Sequence, residues 1–377
     1  MFVVALVGCV PNGIDGFFVR LEGAVADEAG AAVAGATVAL AAEDGTSLGE
    51  AVTDEAGRWT FPLFALDTTG NRVNATVSAT GFSTGLAGWD VNLLSAETAR
   101  LTAGPNETWE TTPRVLATVR LADEGTAGVA SGVVTDPLGN PVGGLPFVVL
   151  QGWDAEVGAA ALGSGETGGS GEFSATVDAP GLYTIQIAPS GGWAGSRFPV
   201  LATTSGDSIR ATVAALQEPG DTLVTLTWEG ATDLDLHLSG PEVEAEADAN
   251  RFHVWVDDPV HPERLVDDDE YLAEVLRSET SGPGPECIVV NRAPGVGELW
   301  LSVADRTNQA TVGSTVLAGS RALVQWWNGE DTPRYAWVSP LEVATSWRPV
   351  EIDTRGGTVY AVERYDEGLD PAESDDF

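Results

Sequence analysis

An acidic stretch in the last third of the chain has the residue types and spacing of a metal site. Asp233, Asp235 and His237 alternate with leucines, so in a β-strand the three polar side chains share one face and the leucines share the other. Two carboxylates about 7 Å apart on one face repel each other unless solvent or a cation lies between them. The pattern therefore predicts a strand with one core-facing side and one acidic side.

Further carboxylates follow downstream and extend this pattern. Asp268 and Asp269 belong to an acidic run, and Glu286 follows a Gly-Pro-Gly-Pro segment. We expect these three to join Asp233 and Asp235 in an oxygen-rich shell for Ca²⁺, which takes about six to eight oxygen ligands. Zinc fits less well, because the three histidines lack the spacing of a zinc site and no cysteine pair accompanies them. A solvated acidic surface and a catalytic carboxylate pair are the alternatives.

No familiar catalytic motif accompanies these acids. The sequence has no Gly-x-Ser-x-Gly, no phosphate-binding loop, no dinucleotide fingerprint and no His-Glu-x-x-His. Cys287 leads into the apolar run Ile-Val-Val, which predicts a buried structural thiol rather than a nucleophile. We therefore expect a non-catalytic protein. The alternative is a secreted hydrolytic or hydrolase-associated protein that uses carboxylates of the same region.

The second cysteine, Cys9, ends an apolar run in the order Leu-Val-Gly-Cys. This tetrad resembles the lipobox of bacterial lipoproteins, which implies that Cys9 is acylated and anchors the protein to a membrane. The implied location is the cell surface or periplasm, on the outer membrane where the species has one. No basic residue precedes Cys9, whereas a secretory signal has a basic segment there; we interpret this as a start codon assigned too far downstream. Residues 1–16 are then a signal remnant and tether.

Composition and charge exclude some classes of partner and favour an all-β fold. The 377 residues carry 56 Asp and Glu against 18 Lys and Arg, a formal net charge of −38, and all 18 basic residues are Arg. Such a chain has no basic face for nucleic acid. With 43% apolar residues and 12 Trp it can build hydrophobic cores, and its 45 Gly, 21 Pro and short alternating runs are typical of β-sandwiches.

The first half of the chain contains two copies of one pattern. In each copy a turn of the type Asp-x-x-Gly precedes an alternating strand, and a later Thr precedes a second glycine turn that delivers an aromatic residue to the core. The matched positions are Asp27, Gly30, Val33, Gly35, Thr53, Gly57 and Trp59 in the first copy and Asp136, Gly139, Val142, Gly144, Thr167, Gly171 and Phe173 in the second.

This pattern resembles the carboxypeptidase regulatory-like (transthyretin-like) domain. The resemblance implies two non-catalytic β-sandwiches, over 17–124 and 125–216, of a family that serves as spacer or interaction module on secreted and surface proteins. The first copy matches closely. The second has Gly168 where the family pattern has an Asp.

The remaining chain resembles a different bacterial family. The order of Trp228, Asp233, Asp235, His237 and the trio Gly284-Pro285-Glu286 resembles the YfaP-type domain of unknown function, which is found in surface and periplasmic proteins. We expect a third, acidic β-sandwich over 217–366, followed by a disordered acidic tail over 367–377.

The adjacent residues Trp326 and Trp327 suggest one way in which such a protein could bind a ligand. The run Val324-Gln-Trp-Trp327 predicts a core strand. Because neighbours in a strand face opposite sides of the sheet, the alternative is that one of the two tryptophans is exposed and stacks on a sugar ring. Together these observations predict a string of tandem Ig-like or transthyretin-like sandwiches on the cell surface, with a protein or glycan as ligand.

Overall fold

Three β-sandwiches follow one another along the chain, and the all-β prediction is confirmed. The computed structural model describes residues 17–66, 72–91, 113–155, 159–215, 221–241, 251–264, 271–280, 282–291, 298–329, 333–353 and 358–367. Within these ranges the only α-helix is one turn long, α1 (Val316–Gly319). No helix there is long and apolar enough to cross a membrane.

The first sandwich consists of two sheets whose inner faces form one core. One sheet has the order β4-β1-β7, with β8 also paired to β1, and the other has the order β3-β2-β5-β6. Strands β1 and β4 are antiparallel, whereas β7 and β8 run parallel to β1. The strands are β1 (Phe17–Ala26), β2 (Thr37–Ala42), β3 (Ser47–Val52), β4 (Arg58–Leu66), β5 (Arg72–Ser78), β6 (Gly85–Asp90), β7 (Pro113–Val115) and β8 (Val119–Arg120).

The second sandwich has the same strand order as the first. Its sheets are β12-β9-β15, with β15 parallel to β9, and β11-β10-β13-β14. The strands are β9 (Gly128–Thr135), β10 (Pro146–Gln151), β11 (Gly163–Glu166), β12 (Glu172–Val177), β13 (Gly181–Ile187), β14 (Ser196–Ala202) and β15 (Asp207–Thr212).

Equivalent threonines fix the same turn in both sandwiches. Thr53 Oγ1 donates to the carbonyl of Val33 at 2.6 Å and accepts the N–H of Ala36 at 2.8 Å. Thr167 Oγ1 donates to the carbonyl of Val142 at 2.9 Å and accepts the N–H of Leu145 at 3.0 Å. Each buried hydroxyl thus satisfies one orphan carbonyl and one orphan amide where a strand begins.

The missing Asp of the second copy has a structural substitute. In the first copy Asp54 Oδ1 accepts the N–H groups of Ala56 and Arg58, both at 2.9 Å. In the second copy the Glu172 carboxylate accepts the N–H of Ser170 at 3.0 Å and contacts the place where a side chain on Gly168 would begin. A carboxylate from the following strand therefore supports the turn that lacks its own.

The third sandwich is larger and has its own core. One sheet has the order β19-β20-β21-β16-β23-β24 and the other β18-β17-β22-β25-β26. Trp228, Trp347 and the leucines of β17 are almost completely buried between them. The strands are β16 (Thr222–Thr227), β17 (Leu234–Pro241), β18 (Arg251–Val254), β19 (Val260–Arg264), β20 (Tyr271–Arg277), β21 (Glu286–Val290), β22 (Glu298–Asp305), β23 (Leu323–Asn328), β24 (Arg334–Trp337), β25 (Ser346–Asp353) and β26 (Thr358–Asp366).

The third sandwich packs directly against the second through a buried amide. Gln325 Oε1 accepts the N–H of Thr212 at 2.7 Å and its hydroxyl at 3.1 Å. Gln325 Nε2 donates to Ser196 Oγ at 2.9 Å and to the carbonyl of Arg197 at 3.0 Å. This side chain has no exposed surface. All four of its hydrogen bonds go to the neighbouring sandwich.

The tryptophan pair confirms the predicted core strand, and the alternative of an exposed ring is wrong. Trp326 is 2% exposed and lies in the core of the third sandwich, while Trp327 has no exposed surface. Trp327 lies between the second and third sandwiches, where its Nε1 donates to the carbonyl of Gly195 at 3.2 Å. Both faces of β23 are therefore covered, one by its own core and one by the neighbouring sandwich.

A second contact joins all three sandwiches. The carboxylate of Asp154 forms ion pairs with Arg72 of the first sandwich at 3.3 Å and with Arg197 of the second at 3.4 Å. Its backbone N–H donates to the hydroxyl of Tyr335, from the third, at 2.8 Å. Asp154 has a φ of 47°, in the left-handed region that Asp adopts more readily than most other non-glycine residues.

Aromatic packing surrounds this contact. Trp153 lies edge-on to Tyr335, with ring centroids 4.9 Å apart, and parallel to Trp337 at 6.3 Å. Arg120 of the first sandwich places its guanidinium 4.1 Å from the centroid of the Trp337 ring. The described sandwiches therefore contact one another through buried polar and aromatic side chains.

Replacing Gln325 with Ala tests this packing. We expect a loss of about 2–4 kcal/mol in the free energy of unfolding, because Thr212 N–H and the Arg197 carbonyl lose their buried partner and such groups cost about 1–3 kcal/mol each. Chemical denaturation of the full chain measures it. Gln151→Ala, at an exposed glutamine, is the control and should stay within about 0.5 kcal/mol of wild type. Equal stability of the two variants would contradict the role given to Gln325.

Candidate functional site

The acidic side of β17 is the candidate site, and it is more buried than a solvated surface. Asp235 is 1% exposed and His237 is 2% exposed. Asp233 lies just before the strand and is half-buried. Leu234 and Leu236 face the core, as the alternation predicts. Because a charge is costly to bury without a partner, the surroundings of Asp235 decide what this side of the strand can do.

Arg306 is the cation that lies among these carboxylates. Its NH1 is 3.1 Å from Asp235 Oδ2, and its NH2 is 3.1 Å from Asp257 Oδ2. The guanidinium thus bridges β17 to the turn after β18. Burial, followed by the nearby charge of Asp233, raises the pKa of Asp235 to about 6, although Arg306 opposes the shift. Asp233 Oδ1 and Asp235 Oδ1 have no hydrogen-bond partner within the described structure.

Three stacked rings lie beside the carboxylates. His237 Nδ1 and His253 Nε2 are 2.9 Å apart and share a hydrogen bond. Trp255 lies parallel to both, with ring centroids 5.3 Å from His237 and 5.8 Å from His253. Burial, together with the charges of His253 and Arg306, holds the pKa of His237 well below its usual range. His237 is therefore neutral near pH 7, and it packs as an aromatic ring.

Glu286 has a different environment from the two aspartates. Its carboxylate accepts the N–H of Leu236 at 2.6 Å, the N–H of Glu279 at 3.0 Å and the hydroxyl of Ser278 at 2.8 Å. The side chain is 3% exposed. Burial raises its pKa to about 8, and the backbone hydrogen bonds offset only part of the shift. This carboxyl fastens β17 to the segment between β20 and β21.

The structure brings together only some of the predicted site residues. Asp233 and Asp235 lie side by side near Arg306, whereas Glu286 is engaged by three donors of its own. Asp268, Asp269 and Cys9 lie outside the described residues. Within the described ranges, no three side chains of His, Cys, Asp and Glu form a group that could hold a metal ion. The calcium site remains a prediction.

The sequence pattern did not predict two residues of this site, Arg306 and Asp257. Arg306 lies 71 positions after Asp235 in the chain, and only the antiparallel pairing of β17 with β22 brings it beside that carboxylate. The sequence did contain one signal for Arg306, because this residue directly follows the strand that pairs with the acidic strand β17. The buried thiol was predicted correctly, because Cys287 has no exposed surface.

The comparison with protein families identifies the first sandwich. The model of the carboxypeptidase regulatory-like domain matches residues 20–104. One carboxypeptidase regulatory-like domain is therefore present at these residues. The match includes the Thr53 and Asp54 turn described above, and it covers most of β1 and the whole of strands β2 to β6.

Comparisons with other proteins add little to this domain assignment. No curated protein matches the chain. Among solved structures, a homologue of the telluride resistance protein TerD from Streptomyces coelicolor A3(2) is 16% identical, with a TM-score of 0.32 over 41% of this chain and 94% of its own. The shaft pilin SpaA of Lactobacillus rhamnosus GG is 11% identical, with a TM-score of 0.20 over 54% of this chain and 100% of its own. Neither score reaches 0.5, so these likenesses carry no argument about function.

The environment of Glu286 predicts a pH-dependent stability. A folded-state pKa near 8, raised from an ordinary 4.5, means that the folded protein holds a proton that the unfolded chain releases. The contribution of Glu286 to stability is then fully present below about pH 4.5 and is lost as pH rises to about 8, by about 1.4 kcal/mol per pH unit within that window.

Glu286→Gln cannot ionise and should remove this slope. The measurement is the free energy of unfolding of both proteins between pH 6 and pH 8, a range above the shifted pKa of Asp235. The comparison uses only the slopes, because the substitution also alters the hydrogen bonds of Leu236 and Glu279. Parallel slopes in the two proteins would show that Glu286 does not hold this proton.

Proposed function

We propose that the protein is a non-catalytic lipoprotein of the cell surface that presents a protein- or glycan-binding face at a fixed distance from the membrane. The observation that carries this proposal is the buried packing between sandwiches, centred on Gln325 and on Asp154 with Tyr335. Buried polar contacts between domains fix their relative orientation. A protein whose domains served only as a flexible tether would not need these buried contacts.

The second and third sandwiches are part of the same proposal. We take residues 125–216 as a second carboxypeptidase regulatory-like domain, supported by its identical strand order and by the equivalent hydrogen bonds of Thr167. The third sandwich, over 217–366, is proposed as a YfaP-type domain. Its Trp228, which carries part of that resemblance, is buried and donates to the carbonyl of Thr232 at 2.9 Å.

The anchor is proposed at Cys9, and metabolic labelling tests it. A palmitate analogue fed to cells that express the full-length gene product should mark the wild type and not the Cys9→Ala variant, because only a thiol at this position accepts the lipid. Cys287→Ala is the matched control and should be labelled like the wild type, since its thiol is buried. Equal labelling of wild type and Cys9→Ala would dismiss the lipid anchor.

Calcium is proposed as a stabilising ligand of the third sandwich. The unpartnered oxygens Asp233 Oδ1 and Asp235 Oδ1 support it, because a carboxylate oxygen without a hydrogen-bond partner is free to bind a cation. Arg306 already neutralises part of this charge. A bound Ca²⁺ would therefore contact the Oδ1 atoms while Arg306 keeps its ion pair with Asp235 Oδ2.

Thermal melting in calcium chloride and in EGTA tests this ligand. At a hundredfold excess over the dissociation constant, calcium should stabilise the folded protein by about 2.7 kcal/mol. Asp233→Asn combined with Asp235→Asn should abolish the response, whereas Asp27→Asn, in the turn of the first domain, should leave it unchanged. An identical melting temperature of the wild type in calcium and in EGTA would remove calcium from the proposal.

A further inference from the structure

A recess between the first and second sandwiches has an uncharged lining, although the protein as a whole is strongly acidic. Its volume is about 240 Å³. Ser83 and Thr84 of the first sandwich and Gln151 of the second form its half-buried to exposed rim, and the buried segment 180–183 forms its floor. A molecule in the recess would contact both sandwiches at once.

The walls of the recess are held in place by hydrogen bonds. The hydroxyl of Tyr183 donates to the carbonyl of Ala179 at 2.7 Å, which closes the floor segment on itself. On the opposite wall the N–H of Ser83 donates to the carbonyl of Ala122 at 2.9 Å. The recess therefore has its shape before any ligand binds, and a preorganised site avoids much of the entropy cost of binding.

The chemistry of the lining is neutral. Among the described residues that line the recess none is charged, although the chain carries a formal net charge of −38. The hydroxyls of Ser83 and Thr84 and the amide of Gln151 can each donate and accept hydrogen bonds. Pro180 and Leu182 supply apolar surface beside them. An anion would find no cationic partner in this lining, and a cation would find no carboxylate.

We propose that this recess binds one neutral monosaccharide unit of a glycan. A sugar ring presents hydroxyl groups at its edge and C–H groups on its face, which matches a lining of hydroxyls, an amide and apolar side chains. Pockets for whole drug-sized ligands measure about 300–1,000 Å³ and occur preferentially at domain interfaces, so a recess of 240 Å³ fits a single ring. This inference rests on the proposed binding function and names its ligand class.

Ligand-observed NMR on the full chain tests the proposal. The probes are neutral hexoses and N-acetylhexosamines, with the matching uronic acids as charged analogues. At least one neutral sugar should show saturable binding, and its uronic acid should bind more weakly because no cation offsets the negative field of the protein. Gln151→Ala and Thr84→Val should each weaken the binding about three- to tenfold, as expected for the loss of one hydrogen bond.

The matched control is Gln186→Ala, a glutamine of β13 outside the recess, which should bind like the wild type. The inference is overturned if no neutral sugar binds saturably, or if Gln151→Ala and Gln186→Ala bind equally well. Saturable binding of a protein ligand without saturable binding of any neutral sugar would overturn the sugar site while the proposed binding function stands. Equal labelling of the wild type and Cys9→Ala would instead contradict the lipid anchor of the proposed function and would leave the sugar site unaffected.

Discussion

The amide of Gln325 makes all its hydrogen bonds to a sandwich other than its own, and the arrangement of the molecule depends on that contact. Inside a protein, a buried amide that lacks partners costs more than a partnered one contributes. Gln325 on β23 and the ends of β14 and β15 therefore have to meet in one relative orientation. Trp327 on the same strand fills the adjoining apolar space. Together they make the junction specific as well as stable.

The same constraint explains why so acidic a chain can bury charge. Three buried or half-buried carboxylates have a defined cation or set of donors: Asp154 has two arginines, Asp235 has Arg306, and Glu286 has three hydrogen-bond donors. All basic residues of the chain are Arg, whose planar guanidinium can serve two acceptors at once. Arg306 does this by bridging Asp235 and Asp257.

The sequence predicted those parts of the fold that depend on local patterns. Alternation placed Leu234 and Leu236 in the core, and the repeated turn signals placed Thr53 and Thr167 in equivalent turns. It did not predict what lies on the second side of a strand when another sandwich covers it. Trp327 and Gln325 occupy such positions, and nothing in an alternating pattern distinguishes a solvent-facing side from one that meets a neighbouring domain. Arg306 was missed for the related reason that strand pairing across 71 residues is invisible in local spacing.

We expect the three sandwiches to unfold as one body, and calorimetry tests this most directly. Differential scanning calorimetry of the full chain should show a single transition whose calorimetric and van't Hoff enthalpies agree, because no sandwich can unfold without exposing the contacts of Gln325 or of Asp154 with Tyr335. Two or three separate transitions, or a calorimetric enthalpy several times the van't Hoff value, would show that the sandwiches unfold independently and would contradict the account.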